Sequence, residues 1–149
     1  MHPLLDIKTW RVLIVDDEPD NLQLASELLE FSGATVAQAA TGSRSLELVD
    51  EFGPNLILLD LAMPGMDGWE VHQRLRTRSD LDGVPIVALT ALAMPEDAAR
   101  VKAEGFNGYI TKPFRVSHLL VNLTSAIRRF VQDEVKNDKS DTQEKNTHD

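Results

Sequence analysis

Apolar residues fall along this chain in two alternating kinds of run. The first is short and unbroken: Val12-Leu13-Ile14-Val15, Leu56-Ile57-Leu58-Leu59 and Ile86-Val87-Ala88-Leu89. Runs of this length, bounded by turn residues, suit strands buried on both faces. Ala34–Ala39 is a weaker run with more polar alternation, which predicts a place nearer a sheet edge. A fifth strand is expected within Phe106–Thr111.

The second kind recurs at helical spacing. Leu22, Leu24, Ala25, Leu28, Leu29 and Phe31 share one half of a first helix, opposite Asp20, Gln23, Ser26, Glu27 and Glu30. Pro19 behind three acids starts that helix, and Gly33 is placed to end it at about Ser32. Thr41 and Ser43 are candidate N-caps for a second helix carrying Leu46, Leu48 and Val49, which Gly53-Pro54 stops. Asp67-Gly68 opens a third with Val71 and Leu75 inward, while Trp69 lies off that stripe and is expected partly exposed. Pro95-Glu96-Asp97 opens a fourth with only alanines and Val101 to bury, hence a labile one. Val116, Leu119, Leu120, Leu123, Ile127, Phe130 and Val131 stripe the fifth, with His118, Val121, Asn122, Ser125, Arg128 and Arg129 opposite. From Gln132 the pattern fails. The chain therefore divides into an extension at 1–10, one domain at 11–131 and a polar tail at 132–149 expected to be disordered. Five alternations of strand and helix predict a doubly wound parallel α/β sheet with helices on both faces.

Composition narrows the function. With 149 residues and 42% hydrophobic content there is material for one sizeable core and not for two ordinary domains. A formal net charge of -9 argues against nucleic acid as a partner, since phosphates call for clustered Lys and Arg. The absence of cysteine excludes disulfides and thiolate metal sites and fits the cytoplasm. No run reaches the roughly 20 apolar residues of a membrane span, nor does the N-terminus carry a signal-type segment, so a soluble protein without a membrane partner is expected.

The chemistry collects at the strand ends: Asp16 and Asp17 after the first, Asp60 after the third, Thr90 after the fourth, Lys112 after the fifth. In a parallel sheet these share one edge, where ligands of open α/β folds bind. Clustered carboxylates repel unless a cation lies between them. Mg²⁺ suits oxygen ligands and phosphate partners, and without cysteines or a paired-histidine motif zinc is the poorer choice. The scattered His2, His72, His118 and His148 are expected to be solvated. A carboxylate, a divalent cation, a lysine and a hydroxyl point to phosphoryl transfer onto the carboxylate, giving an aspartyl phosphate.

These residues resemble the receiver domain of a bacterial two-component response regulator. The likeness rests on Val-Asp-Asp-Glu at 15–18, Asp-Leu-Ala-Met-Pro-Gly-Met-Asp-Gly at 60–68, Thr-Ala at 90–91 and Lys-Pro at 112–113, in register from about Arg11 to Phe130. The resemblance implies a flavodoxin-like strand order 2-1-3-4-5, Asp60 as phosphoacceptor with Lys112 and Thr90 assisting, and Asp16 and Asp17 as acid-pocket residues. It also implies Mg²⁺ held by Asp16, Asp17, Asp60 and the Ala62 backbone carbonyl, a Thr90–Tyr109 switch pair and a cis peptide before Pro113. A histidine kinase or histidine phosphotransfer protein would supply the phosphoryl group, and a downstream protein would respond to the surface of the fourth helix, fifth strand and fifth helix. The chain would be no enzyme beyond its own phosphorylation and dephosphorylation.

The residues agree with such a switch. A phosphoryl group places about two negative charges beside Thr90, and an aromatic on the neighbouring strand can then turn inward. Ala62 and Leu92, two residues beyond Asp60 and Thr90, carry no group to orient an attacking water, so a long-lived phosphate is expected. A haloacid-dehalogenase-type phosphatase would need an acid where Ala62 stands. A flavin phosphate would be repelled by Asp16-Asp17-Glu18. A receiver-like interaction module that takes no phosphate and a receiver excised from a hybrid kinase are the other readings; as a chain ending soon after its last helix, a stand-alone receiver is expected.

Overall fold

The computed structural model describes residues 1–91 and 94–146, the stretch 138–146 as helix backbone alone. Its strands are β1 (Arg11–Val15), β2 (Thr35–Ala39), β3 (Leu56–Asp60), β4 (Ile86–Thr90) and β5 (Tyr109–Thr111). The helices are α1 (Pro19–Phe31), α2 (Gly42–Phe52), α3 (Gly68–Arg76), α4 (Pro95–Ala103) and α5 (Val116–Asn146). All strand pairs are parallel, in the order β2-β1-β3-β4-β5. The three inner strands carry the continuous aliphatic runs, and their residues alternate between two cores. Val12, Ile14, Leu56, Leu58, Val87 and Leu89 face α1 and α5. Leu13, Val15, Ile57, Leu59, Ile86 and Ala88 face the other way, onto Val49, Val71, Leu75 and Val101 of α2, α3 and α4. β2 lies at an edge with a mixed burial pattern, as its weaker apolar run predicts.

The helix signals act as expected. Thr41 caps α2 by accepting from the Arg44 N–H at 3.1 Å, and Asp67 caps α3 by accepting from the Glu70 N–H at 2.9 Å. Gly53 ends α2 at φ 68°, a left-handed geometry that favours glycine. In α4 the buried residue is Val101, as its thin apolar content predicts.

Several single positions differ. Phe31, the last residue of α1, is 93% exposed, although Leu29 two residues earlier is buried in the core. Ser26, assigned to the outer face, is buried and accepts a 2.6 Å hydrogen bond from the Gln38 amide of β2. Val116 is half exposed at the first turn of α5. His72, expected in solvent, is buried on α3 with its ring stacked on Phe106, centroids 4.0 Å apart. It stands one residue after Val71, so it shares enough of the inward face to be covered once α4 packs there.

The N-terminal extension packs onto the domain, and the segment after Val131 departs from its expected disorder. Residues 3–5 and 7–9 form 3₁₀ turns, and Leu4 and Trp10 enter the α1/α5 core. The Trp10 indole donates to the Leu4 carbonyl at 2.8 Å, and His2 Nε2 lies 2.9 Å from a Glu134 carboxylate oxygen on α5. The α5 backbone continues past Val131, where a disordered tail was expected, to Asn146. Residues 132–146 contain neither Gly nor Pro, so nothing breaks a helix already nucleated by its packed first half. Residues 147–149, His148 among them, lie outside the described part.

Candidate functional site

The parallel register sets the predicted residues side by side. Val15 pairs with Leu59, Asp60 with Leu89, and Thr90 with Thr111. Asp16, one step past β1, is tied to the sheet by its N–H, which donates to the Ala39 carbonyl at 3.0 Å. Lys112, one step past β5, donates from its backbone N–H to the Thr90 carbonyl at 2.8 Å. Four strand ends thus open on one cleft.

At its centre the Lys112 ammonium lies 2.8 Å from Asp16 Oδ2 and 3.1 Å from Asp60 Oδ2. Both carboxylates are removed from water, Asp16 at 0% and Asp60 at 2% exposure. Burial pushes the Asp60 carboxyl up to about 6. The Ala62 N–H, donating to Oδ1 at 3.1 Å, and Lys112 restrain that rise, while the Asp16 charge adds to it. For Lys112, burial acts to lower the ammonium, but the hydrogen bonds and charges of Asp16 and Asp60 outweigh it and hold it above its ordinary value. The site is therefore an electrostatically loaded pocket, with more carboxylates than cations.

The loop after β3 holds Asp60 in place. Gly68 donates from its N–H to the Leu61 carbonyl at 3.2 Å. A Cβ on Gly68 would overlap the Asp60 carbonyl oxygen and come within 2.8 Å of Leu61 Cα. Glycine at 68 lets the start of α3 rest on the last peptide of β3, which is what the Asp-Gly signal serves here. The Lys112–Pro113 peptide is cis, as the resemblance implies.

Glu18 is the residue the sequence reading left out of the site. It belongs to the Val-Asp-Asp-Glu motif and to the acids at the helix start, and it is the residue before α1. Yet its carboxylate lies 3.7 Å from Lys112, and its N–H donates to Asp16 Oδ1 at 2.9 Å. Asp16, Asp17 and Glu18 each offer an oxygen within 4.8 Å of the others'. Three acids in succession after a buried strand were the available signal. This all-oxygen set, with buried Asp16 facing more negative charge than Lys112 offsets, fits a hard divalent cation such as Mg²⁺. The cluster is centred on Asp16-Asp17-Glu18, and Asp60 joins it through Lys112 rather than as part of the same oxygen group.

The remaining predicted residues sit around this centre. Thr90 is buried at the end of β4. Tyr109 of β5 pairs with Ala88 of β4 and is 47% exposed, an outward-facing position on the sheet edge. Ala62 is exposed beside Asp60. Leu92 lies outside the described residues.

Comparison with known proteins agrees with this geometry. A family model described as "Response regulator receiver domain" matches residues 12–124. The chain is 35% identical over 117 residues to the polar-differentiation response regulator DivK of Brucella ovis, covering 78% of this chain and 95% of DivK. It is 39% identical over 119 residues to RpaA of Synechocystis sp., described as a DNA-binding dual master transcriptional regulator; that match takes in 80% of this chain and 49%, about half, of RpaA's length. Among solved structures it is similar to the chemotaxis response regulator CheY4 of Vibrio cholerae. There the TM-score is 0.74 at 33% identity, with 78% of this chain and 98% of that chain covered.

Proposed function

This chain belongs to the response regulator receiver family, and we propose that it is a phosphorylation switch in which Asp60 accepts a phosphoryl group from a phosphohistidine. Receiver domains are signalling switches rather than classical enzymes, and the family generally binds Mg²⁺ at an acidic pocket. The observation that carries the reading is the Lys112 ammonium suspended between two buried carboxylates at the ends of parallel strands.

In the proposed step an Asp60 oxygen attacks phosphorus in line, the phosphorus–nitrogen bond to the donor imidazole breaks, and that nitrogen keeps the bonding electron pair and is left to take a proton. Asp16 and Asp17, with the Asp60 carboxylate and the Ala62 carbonyl, would hold Mg²⁺, which would supply charge neutralisation for the phosphoryl oxygens. Lys112 already faces Asp60 and needs little movement to meet an equatorial oxygen. The Thr90 hydroxyl, buried at the end of β4, supplies a further donor to the phosphoryl group in the phosphorylated state. That differential contact biases a pre-existing equilibrium in which the outward Tyr109 ring turns inward. The α4, β5 and α5 surface then changes for a downstream protein. With a charge of -9 and, among the described residues, no helix long and apolar enough to cross a membrane, a protein partner in the cytoplasm fits better than nucleic acid or a lipid surface.

Beryllofluoride with Mg²⁺ is expected to change the tryptophan fluorescence of the wild type and to leave Asp60→Asn unchanged. A silent wild type would favour an interaction module that takes no phosphate. The aspartyl phosphate is expected to be long-lived, because Ala62 brings no polar side chain to a water beside Asp60. Following loss of ³²P label in Mg²⁺ buffer checks this: Ala62→Asn should shed label faster, and rapid loss from the wild type would contradict the expectation.

A further inference from the structure

α4 is fastened by more than its apolar face. Among its described residues Val101 is the buried one, whereas Arg100 next to it is exposed and reaches across to α3. The Arg100 guanidinium lies 3.9 Å from the centroid of the Trp69 ring. That ring in turn meets Phe106, just beyond α4, edge to face at 5.6 Å and 88°. The buried His72 closes the far side, stacked on Phe106 at 17°. Cation–π and edge-to-face pairs each add attraction beyond the area they bury. This stack therefore holds a substantial share of what keeps α4 against α3.

Its inner end is anchored at the phosphoacceptor. Trp69 follows Gly68, which rests on the Asp60 and Leu61 backbone too closely for a Cβ to fit. The first turn of α3 is thus a rigid link from Asp60 to the ring that Arg100 covers. We infer that the Trp69–Arg100–Phe106 stack is a restraint holding α4 in the resting arrangement, and that phosphorylation at Asp60 works against it. Trp69 and Arg100 are positioning residues: neither touches the reacting atoms. The restraint on α4 stands on the packing alone, whereas its opposition to phosphorylation rests on the function proposed above.

Two measurements separate these parts. In hydrogen exchange of the unliganded protein, Trp69→Ala and Arg100→Ala should each speed exchange of the α4 amides while leaving those of α1 unchanged, and the double variant should add little to either. Beryllofluoride titration should then show tighter apparent binding in both variants by about two- to fivefold, the factor expected when an exposed cation–π contact is removed from the resting state alone. Trp69→Phe, which keeps an aromatic edge and weakens the guanidinium contact, should fall between. Unchanged α4 exchange in the variants would overturn the restraint. Faster α4 exchange with unchanged or weaker beryllofluoride binding would overturn its opposition to the switch. A wild type that binds no beryllofluoride would overturn the function proposed above and this second part with it, while the exchange result would still decide the first.

Discussion

Asp60→Asn is expected to abolish aspartyl phosphate formation and, at the same time, to make the resting protein more stable. The first effect follows from loss of the proposed nucleophile. The second follows from burial: the Asp60 carboxyl is displaced from an ordinary 3.8 to about 6, chiefly by desolvation. A displacement of that size corresponds to about 3 kcal/mol held against the ionised form. Between those two values the folded protein binds more protons than the unfolded chain, so this contribution to stability falls as pH rises through that window. The advantage of Asp60→Asn should accordingly vanish below about pH 4 and reach up to about 3 kcal/mol above pH 7. Urea denaturation of both proteins across pH 4 to 8 reads it. Adding Mg²⁺ should narrow the gap at neutral pH by stabilising the wild type more, since bound cation compensates the same charge. A gap independent of pH would show that Asp60 is not the strained carboxylate.

Lys112→Met is expected to give the opposite result and the largest loss. Asp16 and Asp60 are both nearly inaccessible, and the ammonium 2.8 and 3.1 Å away is the cation between them. Removing one partner of a buried charge group typically costs about 3–5 kcal/mol, because the surviving charge is left uncompensated. Methionine preserves much of the side chain's apolar stem, so the loss reports charge rather than packing. Denaturation should show a deficit of that order at pH 7, partly restored by Mg²⁺ and shrinking as pH falls through about 6, where Asp60 takes up a proton. Uptake of label from acetyl phosphate should fall about 10²–10³-fold even where the fold is rescued, the usual consequence of losing one stabilising group from a charged transition state.

Taken together, the two variants distinguish a pocket built for a reaction from one built for stability. A site optimised to hold the fold would not bury two carboxylates around one lysine. Here the resting protein carries that electrostatic load, which under the proposed function a cation or a phosphoryl group would relieve or use.

Much of this was legible in the sequence because it depends on local pattern. The unbroken aliphatic runs of β1, β3 and β4 identify inner strands, since only a strand covered on both faces can afford no polar position. Thr41, Gly53, Asp67 and Pro19 mark helix ends through backbone chemistry that acts within a few residues. Asp16, Asp60, Thr90 and Lys112 stand directly at strand ends, so a parallel topology is enough to gather them.

What stayed hidden depends on which surfaces meet. Ser26 looks solvent-facing by helical spacing and His72 is one of four scattered histidines expected in solvent, yet Gln38 of β2 meets the first and Phe106 beyond α4 stacks on the second. Glu18 looked like a helix-start acid until the return of Lys112 from a distant strand brought a cation within 3.7 Å. The sequence by itself determined the order of strands and helices, the sheet edge on which the acids, threonine and lysine gather, and the kind of ion that edge suits, because backbone preference and side-chain period are short-range. The tertiary structure decided the rest: the Lys112 bridge, the upward shift of Asp60, the packing of residues 1–10 onto α5 and the Trp69–Arg100 stack. Each of these is a contact or a loss of water between segments far apart in the chain, which no local pattern encodes.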